Sequence, residues 1–236
     1  GPGRSGGFGV FKNVKELLPG ECAVYKNGIL KKRRYFTLQA REHTDNEAQT
    51  IEKTRFLLTD SIRRQLISDV PLCCFLSGGL DSSIISKTAA DYYRETGKGP
   101  LPTYSVDYTD NEKYFTKSLF QPNADNVYIR MMCEHIGSQH REVILDNQKL
   151  FEALLPAVEA RDLPAMVDVD SSLLLFCKAV KENFTVALSG ECADELFGGY
   201  PWYHNREILF EECFPWSRSL DIRRSILKPG LLKTGE

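Results

Sequence analysis

The sequence has no long apolar run and no strong excess of either charge. None of its apolar stretches approaches the roughly 18 residues that a membrane-spanning helix needs, and no signal peptide is visible. Lysine and arginine total 30 against 32 aspartates and glutamates, which gives a formal net charge of −2. That balance offers no electrostatic basis for binding nucleic acid or an acidic membrane. We therefore expect a globular protein without nucleic-acid or membrane partners.

The cysteines lack the spacing of a disulfide framework or a zinc site. There are seven, an odd number, and no two form a C-x-x-C pair. Cys73 and Cys74 are adjacent within an apolar stretch, which is typical of small buried side chains in a reducing compartment. We therefore expect neither disulfides nor bound zinc, and a cytoplasmic location.

Two common nucleotide-binding motifs are also absent, since there is no G-x-x-x-x-G-K-[ST] and no G-x-G-x-x-G after a strand. Instead, an apolar run at 72–76 leads into Ser77-Gly78-Gly79-Leu80-Asp81-Ser82-Ser83 and then a helical pattern. Glycines let the backbone approach an anion, and the first N–H groups of a helix favour negative charge. The serine hydroxyls add donors, and Asp81 adds a carboxylate suited to phosphate-bound Mg²⁺. The segment predicts a phosphate-binding turn; a strand-to-helix turn capped by Ser or Asp is the alternative.

The remainder of the chain alternates between strand and helix patterns. Such alternation favours βαβ units, which build a parallel sheet covered by helices on both faces. Ligands of such sheets bind outside the carboxyl ends of the strands, where the strand order reverses. We predict a Rossmann-like α/β fold with strands at 72–76, 102–107, 141–145 and 184–188, and helices at 45–68, 82–96, 122–137, 147–160 and 168–183.

The N-terminal part predicts a β-hairpin over residues 21–38. Two strand-like segments flank Asn27-Gly28, which is the strongest short hairpin turn. Thr44 is a candidate N-cap for the helix that follows. Residues 1–7 read as a tag-like lead.

A second glycine motif follows the apolar segment 184–188. It reads Ser189-Gly190-Glu191-Cys192-Ala193-Asp194-Glu195-Leu196-Phe197-Gly198-Gly199-Tyr200. A solvated acidic turn would explain its acids but not the glycines that bracket them. Ser-Gly-Gly-Leu-Asp-Ser resembles the PP-loop of the ATP pyrophosphatase superfamily, and the second motif resembles the signature of the asparagine synthetase family. In this order they cover the core of that family's synthetase domain, which implies an adenine nucleotide alpha hydrolase-like fold.

The resemblance implies ATP and Mg²⁺ as cofactors and a role for each motif residue. It places the phosphates at Leu76, Ser77, Gly78, Gly79, Asp81 and Ser82, the adenosine at Leu76, Val106, Ser189 and Gly190, and Mg²⁺ at Asp81 and Asp194. Glu191 falls where the family has a glutamate associated with forming the aspartyl adenylate and handling ammonia. From the residues alone, the alternative for Val106 is a core valine, and the alternative for Glu191 is a carboxylate that caps a turn. Tyr200 is as well explained by packing as by substrate contact.

The implied enzyme is a ligase of asparagine biosynthesis, an asparagine synthase of the glutamine-hydrolysing type. It adenylates the side-chain carboxylate of aspartate with release of pyrophosphate, and ammonia from a glutaminase domain then gives asparagine and AMP. One alternative is a related PP-loop enzyme that adenylates another carboxylate, like a β-lactam synthetase. Another is a nucleotide-binding module that is inactive as a fragment. The sequence leaves open whether the chain forms a homo-oligomer.

The resemblance also implies domain boundaries. Residues 8–40 would be the tail of a glutaminase-type domain or a linker hairpin, and 41–236 the ATP-binding synthetase domain, truncated at its C-terminus. The N-terminal cysteine nucleophile for glutamine hydrolysis and the family's downstream lysine are not in the sequence, so we expect the chain alone to be inactive or weakly active. Two departures from the family are Cys192, where glycine is more common, and the segment 161–165.

Overall fold

The computed structural model describes residues 6–116, 124–163, 166–210 and 225–226. Two compact units divide the chain, one comprising Gly1–Ser61 and Asn147–Cys177 and the other Ile62–Asp146 and Lys178–Glu236. Several sequence predictions fall on residues outside the description. These are positions 1–5 of the tag-like lead, 122–123 of a predicted helix, 164–165 of the divergent segment, and 211–224 and 227–236 of the synthetase domain.

The predicted hairpin is confirmed in the first unit. Strands β1 (Glu21–Lys26) and β2 (Ile29–Arg34) pair antiparallel, with Lys26 opposite Ile29. Asn27 and Gly28 both have positive φ, 51° and 76°. Two left-handed residues are what the type I′ turn requires, and this turn matches the twist of the flanking strands.

Helix α1 (Glu47–Gln65) begins with a capping box built on Asn46. The Gln49 N–H donates to Asn46 Oδ1, and the Asn46 N–H donates to Gln49 Oε1, both at 3.0 Å. Two free N–H groups at the helix start are thereby satisfied reciprocally. The predicted N-cap, Thr44, was wrong because Asn46 has this glutamine partner three residues later.

The helix predicted over 147–160 is two helices, α5 (Asn147–Glu152) and α6 (Leu154–Arg161). Pro156 explains the break, since its ring has no N–H to donate and would clash with the carbonyl of Glu152 in a continuous helix. Helix α7 (Val167–Lys181) follows close to its predicted range. Arg161 forms an ion pair with the buried Asp170 at 3.1 Å, within the first unit.

The second unit contains the predicted parallel sheet. Its strands are β3 (Leu72–Phe75), β4 (Pro102–Tyr108), β5 (Gln139–Leu145) and β6 (Val186–Leu188). Their order is β5-β4-β3-β6 and every pairing is parallel, which confirms the α/β fold. The chain moves from β3 outward to β4 and β5 and later returns to the other side of β3, so the strand order reverses there. The described helices of this unit are α2 (Leu80–Glu95), α3 (Asn111–Tyr114), α4 (Asp125–Ile136), α8 (Ala193–Phe197) and α9 (Arg206–Leu209).

Strand β6 is shorter than predicted because its first residues belong to a turn. The Phe184 N–H donates to Val180 O at 2.9 Å, and the Phe184 ring meets the Tyr104 ring edge-on, with centroids 5.7 Å apart. Pairing with β3 therefore starts at Val186, opposite Leu72. The carboxyl ends of β3 and β6 still lie side by side.

The core of the second unit joins the end of α1, strand β3, helix α2 and the end of α4. Cys73 and Cys74 are fully buried, and burial raises the pKa of Cys73 to about 11 and of Cys74 to about 12, so both thiols stay protonated. The members of this hydrophobic core are Ile62, Leu66, Leu72, Cys74, Ala89, Ala90, Tyr93, Leu101 and Ile136. No helix within the described ranges is long and apolar enough to cross a membrane.

A histidine lies between two hydroxyls of β4. His140 Nδ1 is 3.0 Å from Thr103 Oγ1, and its Nε2 is 3.1 Å from Ser105 Oγ. Thr103 and Ser105 are buried, and burial lowers the pKa of His140. Because β4 and β5 pair in parallel with Thr103 opposite His140, this contact helps to fix the register of the edge strand.

Candidate active site

The first glycine motif forms a tight turn between β3 and α2. The Leu76 N–H donates to Tyr104 O at 2.8 Å, which continues the pairing with β4 by one residue. Leu76 is only 1% exposed, so its side chain belongs to the core and only its backbone faces the turn. Gly78 has φ +79°, and a Cβ there would lie 2.9 Å from Asp125 O. Both the backbone angle and the close approach of α4 require glycine at this position.

The serine hydroxyls are used within the turn. Ser82 Oγ accepts the Ser77 N–H at 3.2 Å, lies 3.0 Å from Ser77 Oγ and donates to Gly79 O at 3.1 Å. Ser83 Oγ also donates to Gly79 O, at 2.7 Å. These bonds tie the turn to the first turn of α2. The donors that remain for an anion are the first N–H groups of this 16-residue helix, which have no partner within the helix.

The two glycine motifs meet at the start of α2. A Cβ on Gly190 would lie 3.1 Å from the Ser82 nitrogen and 3.2 Å from Asp81 Cβ. The contact follows from the sheet, because β3 and β6 are neighbours and each motif starts at the carboxyl end of its strand. Gly79, Asp81, Ser82 and Gly190 are thus brought together at the edge that the sequence predicts.

The acidic segment turns sharply after Gly190. The Glu191 N–H donates to Ser189 Oγ at 3.3 Å, and the Glu191 side chain is exposed. Cys192 then adopts the left-handed conformation, φ 72° and ψ 4°, directly before α8. This conformation costs a residue with a Cβ about 1–2 kcal/mol. Glycine would avoid that cost, which gives a physical reason why glycine is the residue expected at this position.

Asp194, in the first turn of α8, lies against Gly199. The Gly199 N–H donates to Asp194 O at 3.0 Å, and a Cβ on Gly199 would collide with Asp194 Oδ1. Gly198 has φ +67° and ends the helix. The Gly-Gly pair therefore has two separate roles: the first glycine provides a left-handed cap and the second leaves room for the carboxylate.

Tyr200 packs and donates within the second motif. Its ring stacks on Trp202 with centroids 4.4 Å apart, and its hydroxyl donates to Glu195 Oε1 at 2.9 Å. That bond, with the charges of Asp194 and Glu191 nearby, raises the pKa of Tyr200 to about 12. Tyr200 is therefore a neutral donor at ordinary pH, and its charged neighbours form a region of negative potential.

The carboxylates of the site fit a metal ion that a nucleotide brings with it. Within the described ranges no three His, Cys, Asp or Glu side chains group as a metal site. In the same part of the chain, Asp81 makes no hydrogen bond or ion pair with its carboxylate. Mg²⁺ takes one or two protein carboxylates and fills its other positions with phosphate oxygens and water. Asp81 and Asp194 match such a donor set.

Val106 lies at the same end of the sheet, one strand away. It pairs with Val143 of β5 and is half-buried, next to the strand that carries Leu76. Its neighbour Asp107, to which sequence analysis gave no role, accepts hydrogen bonds from Asn111 and Asn126. The sequence feature that could have identified Asp107 was a charged residue at the end of a predicted strand.

The chain is similar to known proteins in both sequence and structure. The asparagine synthase family model matches residues 53–236. Asparagine synthetase (glutamine-hydrolyzing) 3 of Bacillus subtilis (strain 168) is 47% identical over 227 residues, which cover 96% of this chain and 37% of the relative. The Homo sapiens asparagine synthetase (glutamine-hydrolyzing) is 29% identical over 164 residues, or 67% of this chain and 27% of that protein. A solved NAD+ synthetase from Burkholderia pseudomallei aligns with a TM-score of 0.36 and 15% identity, over 66% of this chain and 67% of its own.

The two asparagine synthetases are much longer than the chain, which spans 37% of one and 27% of the other. The matched range nevertheless contains the whole parallel sheet and both glycine motifs. The chain therefore belongs to the asparagine synthase family.

Proposed function

We propose that the chain binds Mg·ATP where the two glycine motifs meet and provides the synthetase half of an asparagine synthase. The contact of Gly190 with Asp81 and Ser82 carries this proposal, since it joins the two motifs at the carboxyl edge of the sheet, where the strand order reverses. Family membership supports ATP-dependent amide formation. The positions of the motifs support the same edge as the nucleotide site.

In this proposal the chain binds the phosphates with backbone groups. The Gly78-Gly79 turn and the first N–H groups of α2 face the triphosphate, as helix starts do for anions. The Ser77–Ser82 hydrogen bonds hold the turn in place. Asp81 and Asp194 hold Mg²⁺, which when bound offsets the charge of the triphosphate. Val106 and the backbone of Leu76, Ser189 and Gly190 form the adenosine end.

The proposed reaction has two steps. A carboxylate oxygen attacks the α-phosphorus of ATP, the bond to pyrophosphate breaks, and an acyl adenylate forms. Ammonia then attacks the acyl carbon, AMP leaves, and Glu191 takes up the proton that the nitrogen loses. The exposed side chain of Glu191, in the motif that contacts the start of α2, supports this role, and no hydrogen bond or ion pair engages its carboxylate within the described part of the chain.

We propose aspartate as the acid and a glutamine-hydrolysing domain as the source of ammonia. Both are supported by the similarity to asparagine synthetases of the glutamine-hydrolyzing type. On the same basis, residues 8–40 are the tail or linker of that domain and 41–236 the synthetase domain. A cytoplasmic location is proposed because the six described cysteines are free thiols.

Exchange of labelled pyrophosphate into ATP tests the acid. The chain is incubated at high concentration with Mg·ATP and one acid at a time from a panel that contains aspartate, glutamate, malate and a β-amino acid. Because the chain alone is expected to be at most weakly active, we expect weak exchange with aspartate and none in Asp81→Asn, which keeps the side-chain volume but removes the charge. Exchange that requires another acid would instead identify a related adenylating enzyme. Nucleotide binding without exchange for any acid would contradict adenylation by this chain.

A further inference from the structure

Asp107 at the carboxyl end of β4 accepts three hydrogen bonds. Its Oδ1 accepts the Tyr108 N–H at 2.8 Å and Asn111 Nδ2 at 2.7 Å. Its Oδ2 accepts Asn126 Nδ2 at 2.8 Å. No lysine or arginine pairs with it among the residues that the structure describes. The carboxylate thus joins β4 to α3 through one oxygen and to α4 through the other.

The bond to Asn126 reaches the phosphate end of the site. Asn126 lies in the first turn of α4, and this same helix start packs on the glycine turn. A Cβ on Gly78 would lie 2.9 Å from Asp125 O and 3.2 Å from the Ile129 nitrogen. At its other end, Asp107 directly follows Val106. One side chain therefore connects the strand at the adenosine end to the helix that backs the phosphate turn.

We propose that Asp107 is a positioning residue for the nucleotide. Through Asn126 and the start of α4, it sets the distance between Val106 and the Gly78 turn, so that one ATP molecule can engage both. Asp107 does this without contacting ATP. This inference rests on the proposed nucleotide site and adds a residue that the two glycine motifs do not contain.

A purely local role would need only half of this network. An aspartate that ends a strand satisfies the next backbone N–H and a nearby side chain, as Oδ1 does here with Tyr108 and Asn111. Only the Oδ2 bond reaches α4. The two roles can therefore be separated by changing that bond while the Oδ1 bonds remain.

Exchanging the two side chains isolates the bond. In Asp107→Asn the two amides meet donor to donor, or one of them flips, and the hydrogen bond to a charged acceptor is lost in either case. In Asn126→Asp two carboxylates face each other. The double variant restores one donor and one acceptor with an unchanged net charge. Asp91→Asn in α2, whose carboxylate bonds to Lys87 and Arg94, is the control for removal of one negative charge.

The measurements are Mg·ATP affinity by calorimetry, the free energy of unfolding in urea, and amide hydrogen exchange at Gly78 and Gly79 without nucleotide. Loss of a hydrogen bond to a charged group predicts about tenfold weaker ATP binding in each single variant. Loss of this bond also predicts faster amide hydrogen exchange at Gly78 and Gly79. The double variant should return to within about threefold of wild type in affinity, and Asp91→Asn should match wild type.

Wild-type Mg·ATP affinity in both single variants would overturn the inference about Asp107 but not the proposed function, because the nucleotide site would then be intact without the bond. So would a double variant that folds but binds as weakly as the singles. A folded wild-type chain that binds no Mg·ATP would overturn the proposed function and the nucleotide role of Asp107 together. If the rates of amide hydrogen exchange at Gly78 and Gly79 did not respond to the single changes, Asp107 would not hold the turn.

Discussion

Substitution of Gly190 by alanine tests whether the two glycine motifs act as one site. The new methyl group would lie 3.1 Å from the Ser82 nitrogen and 3.2 Å from Asp81 Cβ. Carbon contacts are optimal at about 3.5–4.0 Å, so the two segments must separate by a few tenths of an ångström. Neither neighbouring atom can swing aside, because both are fixed by the backbone of α2. Alanine itself is not strained, since Gly190 is not among the residues with positive φ.

The expected loss follows from that displacement. Misplacement of a site by 1 Å can lower activity about 100-fold, so a shift about a third to half as large predicts roughly four- to tenfold weaker Mg·ATP binding. Overpacking costs about 1–3 kcal/mol of stability, and we expect the lower end because only one methyl group is added. Calorimetry with Mg·ATP and urea unfolding of the same preparations measure the two effects.

Gly79→Ala is the structural control for this variant. Among the described residues its Cβ would meet only Ser77 Oγ, at 3.4 Å, and its φ of −72° suits any residue. The free energy of unfolding of Gly79→Ala should therefore stay within about 0.5 kcal/mol of wild type. A folded Gly190→Ala chain with wild-type ATP affinity and stability would refute the close approach of the two motifs.

Three further changes test single features. Gly199→Ala should turn the Asp194 carboxylate away at little cost in stability, so a Mg²⁺ titration at fixed ATP should show weaker metal dependence; an unchanged titration would remove Asp194 as a ligand. Cys192→Gly should raise the free energy of unfolding by about 0.5–1 kcal/mol, because relief of the left-handed strain exceeds the entropy that glycine adds to the unfolded chain; a loss of stability would contradict this. His140→Gln should flatten the decline in the free energy of unfolding in urea as the pH falls below 6.5. Burial lowers the pKa of His140, so the unfolded chain takes up a proton at a higher pH than the folded chain does. An equally steep decline would exclude His140 as the cause.

The parallel sheet could be predicted from sequence because short strand-like segments alternate with helical patterns along the chain. Two of its strands, β3 and β6, are apolar runs. Features that depend on competition between neighbours were harder to predict. Asn46 rather than Thr44 caps α1 because only Asn46 has a reciprocal glutamine. Pro156 divides one predicted helix into two, although proline near a helix start is often tolerated. Helices of four or five residues, such as α3 and α8, are too short to show a period.

The site was predictable where the backbone alone defines it. Gly78 and Gly190 fall in motifs that follow strands, and strand adjacency then brings them together. The use of the Ser82 hydroxyl inside the turn was not predictable, because it depends on the conformation of the loop. The link from Asp107 to Asn126 joins residues 19 positions apart and needs the packing of α4 on the turn. No local pattern in the sequence reports such a contact.

Binding of ATP to the wild-type chain, with and without Mg²⁺, tests the central claim most directly. Calorimetry of the wild type, Asp81→Asn and the charge control Asp91→Asn is compared on preparations shown to be folded by urea unfolding. The account predicts heat of binding that requires Mg²⁺, is lost in Asp81→Asn and is kept in Asp91→Asn, because Mg²⁺ has few protein ligands here to replace Asp81. A folded wild-type chain without binding, or equal binding in Asp81→Asn, would contradict it.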